Sequence, residues 1–319
     1  MNEVEAAMPV LEEVGDDRAL ATAWTLLGQY RGIGLGRFAY AEEAYGKALE
    51  HVGKAGDGRE RANVLRGLAV VYLFGPRPVA DAMTRCRGLI DLAGGDPIVE
   101  ASVVRSLGAL EARLGNFDEG RALVRRAQTL YEELGIGGLL PVSLAFALGD
   151  IELLAEDYPA AERELRRGEE VLERMGERGY RSTVLAMLAR AVYGQGRLAE
   201  AERLAREGQA DSPEGDVWGS LGTGALALVQ ASRGEYEQAE ATTRDAIAQL
   251  EQTDSLEVRA VIYADLAEVL LAAGRDDDAL RAAELSLDLF EQKGNVASAA
   301  RVRRLFPAAT APGRAAPTP

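Results

Sequence analysis

Apolar residues recur every three or four positions along most of the chain, and the recurrence stops and restarts at short polar or glycine-bearing turns. Val104, Leu107 and Gly108 follow this spacing before Gly115-Asn116, and Gly120, Val124 and Ala127 resume it afterwards. Such spacing gives each segment one apolar helical face, so the pattern predicts two helices per turn and pairs them as a hairpin. No segment alternates with period two for the length of a strand, which argues against a sheet.

The same grammar returns at a fixed distance. Leu107-Gly108 leads to Gly115-Asn116-Phe117-Asp118-Glu119-Gly120, Leu188-Ala189 to Gly196-Arg197-Leu198-Ala199-Glu200-Ala201, and Leu226-Ala227 to Gly234-Glu235-Tyr236-Glu237-Gln238-Ala239. Leu266-Ala267 leads likewise to Gly274 and Ala279. Leu148-Gly149 begins a fifth copy that carries Glu156 where the others have the turn glycine. Two copies one residue longer precede these, from Leu27 to Ala41 and from Leu68 to Ala82. Small residues therefore anchor the units at 41, 82, 120, 161, 201, 239 and 279, about 40 residues apart. A small anchor lets paired helices approach closely, and a larger residue three or four positions later fills the gap to the next unit. Asp96 before Pro97 reads as an N-cap, and Asp254 with Glu257 three residues on reads as a capping box.

An apolar-small pair, a seven-residue step to Gly-x-aromatic and a following alanine resemble the tetratricopeptide repeat, and Trp24-x-x-Leu27-Gly28 is close to that repeat's opening signature. The resemblance covers roughly residues 16 to 293. It implies an all-α, right-handed α-solenoid of about seven helical hairpins over residues 1–306. Residues 295–306 form its capping helix, and 307–319 a disordered Pro/Ala-rich tail. Leu11-Glu12-Glu13-Val14-Gly15 aligns with Tyr131-Glu132-Glu133-Leu134-Gly135, which closes a second helix. The array is thus expected to open on a leading half-repeat, as the carboxy-terminal part of a longer architecture would. The run from Asp16 through Gly176-Glu177-Arg178-Gly179-Tyr180 to Asn295 is also similar to the repeat regions of actinobacterial multidomain regulators. In those, arrays of this kind follow a signalling ATPase with a nucleotide cyclase or a DNA-binding domain. The implied role is sensing or docking, and their catalytic parts have no counterpart in this sequence.

Composition narrows the chemistry. A net charge of −15 gives no overall attraction to nucleic acid or to anionic membranes. One cysteine, Cys86, and one histidine, His51, leave no disulfide framework, no Cys/His metal set and no catalytic set that is not built on His51. The amino terminus is acidic, with no leader-like apolar stretch, and the most hydrophobic window, Leu139 to Leu148, is interrupted by Pro141 and Ser143. The expectation is a soluble cytoplasmic protein that is not an enzyme and needs no cofactor or metal. His51 falls near the end of a second helix, and Cys86 at the bulky inter-unit position where an inert buried thiol belongs. Gly32-Ile33-Gly34-Leu35-Gly36 has Arg37 where a nucleotide loop needs its third glycine, and reads as a lengthened turn. Asp276-Asp277-Asp278 occupies a helix start, where the helix dipole favours carboxylates.

The face expected to line the concave groove lies about two positions either side of the repeat leucine. It includes Arg66, Arg105, Phe146, Asp150, Arg190 and Tyr193. Arginines there suit a carboxylate, which makes an acidic peptide or a chain terminus the candidate partner; pairing of each arginine with a neighbouring acid is the alternative. The Asn and Lys pattern of carboxylate-clamp tetratricopeptide domains is absent. The functional expectation is a protein- or peptide-binding regulatory scaffold. A receptor for a signalling peptide or small ligand, or a piece of a larger cyclase or ATPase regulator, remains the alternative. The concave surface is expected to be long and open, each unit touching only its neighbours in sequence.

Overall fold

The structure, a computed structural model, describes residues 2–213 and 216–310. Among these residues there are sixteen α-helices and no strand. α1 (Asn2–Val14) leads, and seven hairpins follow: α2 (Asp17–Leu27) with α3 (Phe38–Ala55), α4 (Gly58–Phe74) with α5 (Val79–Ala93), α6 (Pro97–Arg113) with α7 (Phe117–Glu133), and α8 (Leu139–Leu154) with α9 (Tyr158–Met175). Then come α10 (Arg178–Gly194) with α11 (Leu198–Asp211), α12 (Gly219–Ser232) with α13 (Tyr236–Leu250), α14 (Leu256–Ala272) with α15 (Asp276–Lys293), and the capping helix α16 (Val296–Leu305). Leading half-unit, seven hairpins and cap are those expected. α1 lies against α2 through Val4, Met8 and Leu11. Pro307–Thr310 form a 3-10 turn, with Ala309 packed on the last hairpin; the rest of the expected tail is outside the described residues.

Local chemistry sets these boundaries. Asp16, Asp57, Asp96 and Asp157 each accept an amide of the helix that follows, Asp96 from both Ile98 (2.9 Å) and Val99 (3.1 Å). Each such cap contributes about 1 kcal/mol. The turns of the last five hairpins share one left-handed residue: Gly115, Gly196, Gly234 and Gly274 have φ between +73° and +89°, and Glu156 takes φ +60° where the glycine is missing. The geometry of the turn is kept, against the steric preference of a residue that carries a Cβ. At the anchors the backbones touch: a Cβ on Gly120 would stand 2.7 Å from the Gly108 carbonyl oxygen.

The glycine-rich stretch of the first unit departs from the expected turn. Helix α2 runs on as a π-helix from Gly28 to Gly34, and only Leu35 to Arg37 turn the chain. A π-helix accommodates an extra residue in the helical path, which accounts for the longer spacing from Leu27 to Ala41. Gly32 is needed for contact, since a Cβ there would lie 2.3 Å from that of Ala41.

The larger departure is at the ends of the array. Successive hairpins stack in sequence order, but the superhelix curls until its last unit meets its first ones. Asp254, just before α14, accepts the amides of Phe38 and Ala39 at 2.7 Å each and so caps α3. Its own helix receives no side-chain cap, and Glu257 does not complete a capping box: it is buried and paired elsewhere. Lys293, fully buried at the end of α15, donates to the carbonyls of Gly75 (2.6 Å) and Arg77 (3.0 Å). Trp218 meets Phe74 edge-on at 4.7 Å, and α16 packs on α6. The open concave surface is thereby replaced by a chamber, and α6 is buried on nearly all its faces from Val99 to Arg113.

Candidate functional site

The chamber lies between the inner helices of the middle units and the last hairpin, with a cavity volume of about 140 Å³ that opens to solvent. Phe74 at the end of α4, Phe146 on α8 and Trp218 at the start of α12 form one wall, the first two in edge contact at 6.1 Å. Leu153, Leu154, Met187, Leu221, Val258 and Val261 continue it, and Phe290 and Val302 come from the closing helices.

Its charged groups are tied to one another. Arg113 donates to both oxygens of Glu257 (2.8 and 3.0 Å), to Asp150 (3.0 Å) and to the Ala109 carbonyl (2.9 Å). Asn295 supplies a further donor to Glu257 at 2.6 Å. Burial works against the Arg113 charge, and the two carboxylates outweigh it, so the guanidinium is held well above its ordinary value. Burial raises the Asp150 carboxyl, with Arg113 pulling it down and Glu257 pushing it up. Arg190 reaches past α12 to Asp265 on α14, with bonds of 2.6 and 2.9 Å. The pair fits because Gly224 lies beneath it: a Cβ there would come within 2.1 Å of the Asp265 carboxylate. Arg301 pairs with Glu268 at 2.8 Å. The result is an apolar, aromatic space framed by neutralised charge, a surface suited to holding side chains.

Of the residues expected in the groove, Phe146, Asp150 and Arg190 line the chamber. Arg105 lines a small side alcove that shares Phe74, Phe146 and Asp150 with it. Arg66 and Tyr193 border neither space; Arg66 bonds Asn63 at 2.6 Å, and the half-buried Tyr193 faces Ser232 at 3.4 Å. The three arginines therefore do not converge, and for Arg190 the pairing with an acid of the chain itself is what occurs. His51 bonds Asp17 at 2.7 Å, away from the chamber. Cys86 is buried, which pushes its thiol up to about 12. Asp278 pairs with Arg275 and Arg281 at the start of α15. Among the described residues no group of three or more His, Cys, Asp or Glu is placed to hold a metal ion, and no helix is long and apolar enough to cross a membrane.

A family model described as tetratricopeptide repeat matches residues 100–174, spanning α6 to α9. Solved structures extend that likeness to the chain's length. The structure of NprR in complex with its cognate peptide NprX aligns with a TM-score of 0.61 at 14% identity, over 91% of this chain and 84% of that one. A Rap protein complexed with Competence and Sporulation Factor aligns at 0.60 and 14%, over 96% and 93%. The fold is a tetratricopeptide-repeat solenoid. A signal transduction ATPase with numerous domains from Pyrococcus horikoshii, which has a tetratricopeptide repeat sensor, aligns at 0.53 and 12%, over 95% of this chain and 52% of that one. No curated protein matches the sequence.

The residues of the solenoid's chamber that sequence reasoning missed include Phe74, Arg113, Trp218, Glu257, Phe290 and Asn295. One signal for them is present. Six positions after the repeat leucine the units carry Phe74, Leu154, Gly194, Ser232 and Ala272, and Arg113 alone is charged. A single charge at a repeat position that is elsewhere uncharged marks a unit with a contact the others lack.

Proposed function

We propose that this solenoid is a non-catalytic regulatory receptor that takes a short peptide or an extended protein segment into its chamber. The observation that carries this reading is the aromatic wall of Phe74, Phe146 and Trp218, facing a solvent-accessible apolar space whose bordering ion pairs are already satisfied. Apolar side chains entering it would leave water without leaving a charge unpaired, which favours binding by about 25 cal/mol for each Å² covered. Further support comes from NprR and the Rap protein, whose structures hold a cognate peptide and Competence and Sporulation Factor respectively; they share the solenoid fold with this chain.

The test uses the immobilised full chain and a library of random pentapeptides, with retained sequences identified by mass spectrometry. A related set rich in aromatic and aliphatic residues is expected on the wild type. The same set should be lost on Ala264→Trp, which fills the chamber from the α14 side. Equal retention by a folded Ala264→Trp, or no retention by the wild type, would overturn the reading.

A further inference from the structure

Two arginines of the described chain are buried, and both belong to α6. Arg113 has four hydrogen bonds to two carboxylates and a carbonyl. Arg105, two helical turns earlier and only 9% exposed, has no carboxylate within ion-pair distance among the described residues. Its Nε is buried with no acceptor, and its one side-chain contact is a long 3.4 Å bond from Nη2 to Ser106 Oγ. The chain has 51 acidic residues against 36 basic ones, so unmatched cations are the scarcer kind of group. Burying a guanidinium without a partner is strongly unfavourable, and a fold keeps such a group where something from outside completes it.

The surroundings specify what that is. Arg105 forms part of the alcove beside Phe74 and Phe146, and the alcove's own carboxylate, Asp150, is engaged by Arg113 at 3.0 Å. Arg66 occupies the same repeat position on the adjacent helix α4, and its Nε is also buried without an acceptor. A guanidinium presents parallel donors that match the two oxygens of a carboxylate. Resting on the receptor reading above, we propose that Arg105 forms a carboxylate-binding subsite of the chamber. The occupant is then a peptide that is apolar along the aromatic wall and carries one carboxylate, at its terminus or on an Asp or Glu side chain, into the alcove.

The pentapeptide library is applied to the full chain in two forms, with free and with amidated carboxy termini. Retained peptides should pair apolar residues with a carboxylate. Retention of Asp- or Glu-bearing sequences in the amidated form assigns it to a side chain, and retention confined to the free form assigns it to the terminus. For the best retained peptide, replacing that carboxylate with an amide should weaken binding to the wild type at least tenfold, read by fluorescence polarisation. Arg105→Met should weaken the acid form to the same extent, with Arg105→Lys recovering part of the loss. Because methionine places an apolar chain in an apolar alcove, the melting temperature of Arg105→Met should hold or rise. Retained peptides without any carboxylate, or equal affinity of acid and amide forms for the wild type, overturn the subsite and leave the receptor reading standing. No retained peptide at all overturns both.

Discussion

Arg113 and Glu257 are 144 residues apart in the chain and 2.8 Å apart in space, and they join the inner helix of the third hairpin to that of the seventh. Repeat stacking alone creates no such pair, because it brings together only neighbouring units. The bond exists because the superhelix closes, and in turn it holds the chamber's two sides at a fixed separation. Arg113→Met would leave the buried Glu257 carboxylate with Asn295 alone and Asp150 without its cation. The expected cost is about 3–5 kcal/mol, the range for removing one member of a buried pair. Urea unfolding at neutral pH measures it. Adding Glu257→Met should restore part of that loss, since apolar replacements of similar volume tolerate burial. A double variant no better than the single one would show that the pair does more than neutralise itself.

Gly224 lets Arg190 reach Asp265. Gly224→Ala places a methyl 2.1 Å from the Asp265 carboxylate and 2.9 Å from Ile262 Cδ1, inside a packed layer. Its better helix propensity, worth about 1 kcal/mol, is outweighed by overpacking and by a displaced ion pair, for a net loss of about 2 kcal/mol. Thermal unfolding followed by circular dichroism should show a transition several degrees lower. A transition at or above that of the wild type would mean that Asp265 moves aside without losing Arg190.

Asp254 provides the first hairpin with a cap from the far end of the chain. Asp254→Ala removes both acceptors at the start of α3, with an expected loss of about 1–2 kcal/mol. The local readout is hydrogen exchange: the amides of Phe38 and Ala39 should exchange faster, while those at the start of α14 stay unchanged, because its N-cap residue, Ser255, makes no side-chain bond there. Faster exchange confined to α14 would restore the capping-box reading.

What was legible in the sequence was local. Leu107, Gly120 and Val124 announce their hairpin because their partners are a few residues away, and the same logic placed the half-unit and the cap. Even the missing glycine at Glu156 was visible, although the sequence could not tell that the left-handed turn persists there. Closure was hidden for a physical reason. It is the sum of small rotations from unit to unit, none of which has its own residue pattern, so Asp254 and Glu257 look like a capping box whether they serve α14 or the opposite wall. The groove residues followed suit. Phe146, Asp150 and Arg190 were legible as inward-facing, but that Arg190 is engaged by Asp265 and Arg105 by no acid depends on which helix meets which across the chamber.

Lys293 makes the stability of the closed solenoid depend on pH. Burial pushes its ammonium down to about 8 from an ordinary 10.5; the Glu257 charge opposes that shift, Arg113 adds to it and Cys86 opposes it. Below about pH 8 the folded and unfolded chains both carry the proton, and burying the charge there costs stability. Between about 8 and 10.5 the unfolded chain binds more protons at this site, so stability contributed by Lys293 rises with pH and levels off above that range. The neutral amine still has two N–H groups for the Gly75 and Arg77 carbonyls, so closure survives the titration. Measured as the difference in unfolding free energy between wild type and Lys293→Met, the gain should amount to something on the order of 3 kcal/mol across the window. Taking the difference removes the tyrosines and other lysines that titrate in the same range. A difference that stays flat from pH 7 to 10 would place the Lys293 proton in both states throughout, and the amine would then be no more hindered by burial than one in water.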